Sequence, residues 1–138
     1  MINWEDNLDP DFAAHRFMKP IPAGDTDEQQ AAGYSDMWIS YRSPDFCAKE
    51  TTILPGASVT LHDSAAYGII FVQGHGQMGV HAVESPTLIR FGQTTRDEFW
   101  VTEEAAKNGV KLTNESQTEP LVLLRHYGPG NPDLSKKA

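Results

Sequence analysis

The stretch Arg90-Phe91-Gly92-Gln93-Thr94-Thr95-Arg96-Asp97-Glu98-Phe99-Trp100 gathers two arginines, two acids, a glutamine and two threonines between aromatic residues. Guanidinium, carboxylate and amide groups are what hydrogen-bond a polyhydroxylated or anionic small molecule. Arg90, Gln93, Arg96, Glu98 and Trp100 are therefore candidate ligand contacts. A solvated loop with local arginine–carboxylate pairs fits the same composition. Tyr67 and Trp100 offer flat apolar faces either to a sugar ring or to a core.

Histidines are the other chemistry-bearing group. His62, His75, His81 and His126 lie in or beside segments of β character, with Glu84, Asp97 and Glu98 as possible oxygen donors. A metal would need three or four such groups within about 2 to 2.5 Å of one point. His75, set between two glycines, reads as an exposed hairpin-tip residue. His81 and His126 read as ordinary sheet residues, and His15 belongs to the leading segment.

Other chemistries are disfavoured by context. Gly74-His75-Gly76-Gln77-Met78-Gly79 matches a dinucleotide-binding spacing, but strand-like residues follow it where a helix must open to hold the pyrophosphate. There is no G-x-S-x-G elbow, P-loop or H-E-x-x-H helix. Cys47 is the only cysteine and sits in the apolar run Phe46-Cys47-Ala48, as a small buried hydrophobe does. The net charge is -8 with no basic stripe, which argues against nucleic acid and anionic membrane as partners. No apolar run reaches a membrane span and the first residues are acidic, so a cytoplasmic protein is expected.

The elements that must position these groups are short strands. From Met37 onward, runs of five to eight residues are broken by Pro, Gly and Asn. The expected strands are 37–41, 46–54, 58–62, 67–73, 77–83, 86–91, 99–102, 110–114 and 121–127. A short helix interrupts them, with Thr102 as cap, Glu103 and Glu104 at its positive end, Lys107 at its negative end and Gly109 as its stop. Residues 1–36 hold eight acids against Arg16 and Lys19 and show little periodicity, so they are expected to form an acidic extended arm, with Trp4, Phe12, Phe17 and Met18 to pin it. The barrel is expected over 37–130 and a tail over 131–138.

Leu54-Pro55-Gly56, Val59-Thr60-Leu61-His62 and Tyr67-Gly68-Ile69-Ile70-Phe71-Val72-Gln73-Gly74-His75-Gly76 resemble the first motif of the cupin family. Phe91-Gly92-Gln93, Phe99-Trp100-Val101-Thr102, Asn114 and Glu119-Pro120-Leu121-Val122-Leu123-Leu124 resemble its second. The resemblance covers roughly residues 53 to 127 and implies an all-β, cupin-type jelly-roll barrel. Cupins hold a divalent metal on three His and one Glu that point inward. In register with that pattern the Glu falls at Tyr67, the paired His fall near Thr60 and His62 or His62 and Ser64, and the last His falls near Lys107. One of four ligands, His62, survives, so a Zn, Ni, Mn or Fe site is either absent or rebuilt.

The resemblance implies a small-molecule ligand in a pocket inside the barrel, with Thr60 and His62 on the pocket-facing side. One expectation is an isomerase or epimerase of a sugar or sugar phosphate, with His62 as base and Tyr67 as acid. The alternative is a binding module for a carbohydrate or organic acid without turnover. A homodimer that covers exposed strand edges is expected in either case.

Overall fold

The computed structural model describes residue 5 and residues 8 to 88 and 90 to 135. Trp4 lies outside the described residues. In chain order the elements are α1 (Phe12–Arg16), β1 (Ile21–Pro22), α2 (Thr26–Ala31), β2 (Tyr34–Ser40), β3 (Cys47–Ile53), β4 (Ser58–Leu61), β5 (Tyr67–Met78), β6 (His81–Ser85), β7 (Glu98–Val101), α3 (Glu103–Asn108), β8 (Val110–Asn114), β9 (Leu121–Tyr127) and α4 (Pro132–Ser135).

All strand pairings are antiparallel, and β5 joins the whole. Its first half pairs with β9 and β7, and its second half with β6 and β8. The hydrogen-bonded order is β1-β2-β3-β9-β5-β8-β4, with β6 and β7 added to β5. Two glycines let this long strand serve so many neighbours. A Cβ at Gly76 would run into the Thr113 carbonyl oxygen on β8, and one at Gly74 would come within 2.6 Å of the Pro120 carbonyl oxygen. His75 is therefore an exposed residue in mid-strand and not a hairpin tip. The hairpin turn falls instead at Gly79-Val80, which divides the expected strand 77–83 between β5 and β6.

The period-two alternation of the sequence sets the inward face. On β9, Leu121, Leu123, Arg125 and Tyr127 are buried, while Val122 and Leu124 are half-buried and His126 is exposed. Ile53, Phe71, Leu121 and Leu123 form an apolar floor that opens toward Lys49, Asp63, Arg125 and Tyr127 at the other end. Helix α3 forms as its caps dictate: Thr102 Oγ1 accepts from the Ala105 N–H, and Gly109 stops the helix at φ +100°.

The leading segment differs from the extended arm expected. Asp25 caps α2, accepting from the N–H groups of Asp27 and Glu28, and β1 pairs with β2. Gln29 is buried and its side-chain oxygen accepts from the Asp36 N–H at 2.9 Å. Asp36 itself lies on β2 and points into the core, so the sheet begins well before Met37. Farther back, Tyr41 ties the segment down: its N–H meets Met18 Sδ and its hydroxyl donates to the Lys19 carbonyl. Of the expected tail, residues 136–138 lie outside the described residues, and the described part is built in, since Asn131 is buried and Leu134 packs on the core. Residues 86–88, 90 and 91 form loop rather than the expected strand.

Candidate functional site

Strand register brings a charged cluster together at the polar end of the interior. Lys49 on β3 sits directly opposite Arg125 on β9, and Thr51 opposite Asp36 on β2. Two cations facing each other across a ladder repel. Asp63, just beyond β4, resolves the conflict: its carboxylate accepts from Lys49 Nζ at 2.7 Å, from Tyr127 Oη at 2.9 Å and from Arg125 Nη1. Asp36 takes the other side of the guanidinium, accepting from Arg125 Nη2 at 2.5 Å and from Thr51 Oγ1 at 2.7 Å. The quartet Asp36, Lys49, Asp63, Arg125 is formally neutral and nearly inaccessible, with Arg125 1% and Asp63 3% exposed.

The electrostatics follow from burial and pairing. Burial alone would raise the Asp63 pKa, but the Arg125 and Lys49 cations and the hydrogen bonds from Lys49 and Tyr127 hold it below the usual carboxylate value. Burial pushes the Tyr67 hydroxyl up to about 12, against a partial offset from Arg125. Tyr127 is raised by the same cause. Burial would discharge Arg125, but Asp36, Tyr127 and Asp63 together hold its pKa above the usual guanidinium value. Three buried atoms have no hydrogen-bond partner among the described residues: Trp38 Nε1, Tyr67 Oη and Arg125 Nε. Tyr67 and Trp38 both pack on the Tyr127 ring, and the guanidinium lies 5.7 Å from the Tyr67 ring centre.

Tyr67 thus points inward, as the register with the cupin motif implied, but Thr60 and His62 do not. Both are exposed, and the inward residues of this stretch are Val59, Leu61 and Asp63. The reason is parity: Val59 and Leu61 supply the apolar face of β4, so their neighbours must face out. His62 Nδ1 lies 3.2 Å from the Lys107 carbonyl oxygen, and its ring packs against the space that Gly109 leaves open. His62 and Tyr67 therefore lie on opposite faces and cannot act as base and acid on one substrate.

The donor set does not fit a divalent metal. His62, His75, His81 and His126 are all exposed, and the two inward carboxylates are already taken by Arg125 and Lys49. No group of three or more candidate ligands exists among the described residues. Sequence reasoning missed the quartet. Its signal was parity: Arg125 and Lys49 occupy inward positions of otherwise apolar or small-residue strands, where a charge must be partnered.

A second, open site lies beside β6. Arg90, Gln93 and Arg96 line a cleft of about 400 Å³ together with Glu84, Thr87 and Thr94. A turn builds it: the Gln93 N–H donates to the Arg90 carbonyl across Gly92 at φ +78°, which sets Arg90 and Gln93 side by side. The Glu84 N–H donates to the Arg96 carbonyl and holds the loop to β6. Arg96 pairs with Glu84 at 3.8 Å in solvent, while Arg90 has no ion-pair partner among the described residues. The cleft therefore carries one uncompensated positive charge. Glu98 and Trp100 lie outside it on β7. Trp100 is 72% exposed, so it is no core residue, and it borders a separate groove with Met78, His81 and Thr102.

No protein-family model matches the chain, and no curated protein matches it in sequence. Solved structures do match. A cupin 2 domain-containing protein from Halorhodospira halophila aligns with TM-score 0.52 at 18% identity, over 76% of each chain. A cupin-2 domain from Rhodospirillum rubrum aligns with TM-score 0.51 at 13% identity, over 82% of this chain and 70% of that one. The polyketide cyclase RemF from Streptomyces resistomycificus aligns with TM-score 0.50 at 8% identity, over 72% and 68%. The chain has the cupin fold. Within that fold paired charges are buried in the interior, and a polar cleft beside β6 is open to solvent. No helix among the described residues is long and apolar enough to cross a membrane.

Proposed function

We propose that this protein is a binding cupin that takes a small anionic, hydroxyl-bearing ligand, a sugar acid, sugar phosphate or organic acid, in the cleft of Arg90, Gln93 and Arg96. The observation that carries this reading is the unpaired Arg90 guanidinium in an open cleft, beside the weakly paired Arg96. Arginine forks recognise carboxylate and phosphate bidentately, and the Gln93 amide and Thr87 and Thr94 hydroxyls suit ligand hydroxyls.

Isothermal titration with glucose 6-phosphate, glucuronate and citrate tests it. At least one should bind without conversion, and Arg90→Ala should weaken that binding by at least about tenfold, since a hydrogen bond to a charged group contributes roughly 1.5 to 3 kcal/mol. Affinity unchanged in the Arg90→Ala/Arg96→Ala double variant would remove the reading.

One observation favours a second reading, an isomerase or epimerase working inside the barrel. The Tyr67 hydroxyl is buried beside the Arg125 guanidinium, with no well-aligned hydrogen bond among the described residues, as an available proton donor would be. In this reading Tyr67 acts without His62. Conversion of a sugar phosphate that Tyr67→Phe abolishes and His62→Ala leaves intact would establish it.

A further inference from the structure

The interior of this barrel has the opposite polarity from a cation site. A divalent ion needs converging acceptors with free lone pairs. Here Asp63 has both carboxylate oxygens engaged, one by Lys49 and Tyr127 and the other by Arg125, while Asp36 accepts from Arg125 and Thr51 at Oδ1 and faces Lys49 Nζ at 3.8 Å through Oδ2. Among the described residues the buried side-chain polar atoms without a hydrogen-bond partner are Trp38 Nε1, Arg125 Nε and the Tyr67 hydroxyl, two obligate donors and one group that donates readily. The cations are also shielded by ring faces: Lys49 Nζ lies 4.6 Å from the Trp38 ring centre and 5.4 Å from that of Tyr127. Both contacts favour a positive charge at that point.

We propose that Arg125, seconded by Lys49, takes the place of the metal at the centre of this cupin barrel. The two protein cations neutralise the inward carboxylates and join β2, β3, β9 and the chain after β4 in one charge-balanced knot. The knot needs no ion to form, and a divalent ion can enter only by displacing a guanidinium or an ammonium group from a carboxylate.

The test starts with the wild-type chain purified without chelator. Elemental analysis should find well under one equivalent of Zn, Ni, Mn or Fe, and titrated Mn²⁺ should leave the amide NMR signals of Asp63, Tyr67 and Arg125 sharp. One tightly held equivalent that chelator removes with a fall in melting temperature of about 3 °C or more would overturn the proposal. So would Mn²⁺ broadening of those three signals. The Arg125→Met/Lys49→Met double variant supplies the converse. Asp36 and Asp63 would then face each other and the phenols of Tyr67 and Tyr127 with no cation between them. That variant should gain stability as pH falls from 7 to 5 and should gain melting temperature with Mn²⁺. A double variant with wild-type stability and no response to Mn²⁺ would contradict the proposal. The wild-type measurements decide the matter alone if the double variant does not fold.

Discussion

Asp63 answers Lys49, Tyr127 and Arg125 at once. Asp63→Asn leaves buried cations uncompensated and should cost roughly 3 to 5 kcal/mol, read by urea unfolding. The exposed Lys107–Glu103 pair on α3 has the same formal charges but should cost no more than about 0.5 kcal/mol when Glu103 becomes Gln. Equal losses at the two sites would contradict the burial argument. The pH dependence follows in sign. The Asp63 pKa is depressed in the fold, so its stabilisation is complete above the unfolded carboxylate value near 3.8 and is lost as pH falls below it. Tyr67 moves the other way: raised from 10.0 to about 12, it stabilises fully below pH 10 and loses that contribution as pH climbs toward 12. Thermal scans from pH 3 to 12 should show both shoulders. Ultraviolet titration should find the Tyr67 and Tyr127 phenols ionising only with unfolding.

Among the elements, β5 is the one whose sequence explains the most geometry. Gly76 is in the strand because β8 passes against its Cα, whereas Gly68 has open space around it. Gly76→Ala should therefore destabilise by about 1 to 3 kcal/mol or more, and Gly68→Ala should stay within about 0.5 kcal/mol of wild type, both by chemical denaturation. A neutral Gly76→Ala would mean that β5 and β8 are not so closely laid. The same strand shows where sequence reading succeeds and fails. Period-two alternation correctly exposes the elements β3, β4, β8 and β9, and the capping residues around Thr102 and Gly109 give α3 outright. The paired glycines Gly74 and Gly76 invite a hairpin tip at His75, because close backbone approach and a tight turn ask for the same residue. His62 was misplaced by a slip of one residue, which sends every side chain to the opposite face. The family pattern pulled the register toward a histidine, while the apolar Val59 and Leu61 set it in the fold. Arg90, Gln93 and Arg96 were recognisable from composition. Their convergence depended on the Gly92 turn, and Glu98 and Trp100, close in sequence, fall outside it because β7 has already begun.

At the scale of the whole molecule, fold and chemistry separate. The strand order and the inward-facing parity make a cupin fold, and Asp36, Lys49, Asp63 and Arg125 are buried and paired within its curled sheet. The proposed binding site is the surface cleft on the β6 side, where the Arg90 guanidinium has no ion-pair partner among the described residues. The most direct test of this division is an amide NMR titration of the wild-type chain with glucose 6-phosphate and with citrate. Shift changes confined to Glu84 through Arg96, lost in Arg90→Ala, are the result this account predicts. Changes centred on Asp63, Tyr67 and Arg125, with the cleft silent, would contradict it.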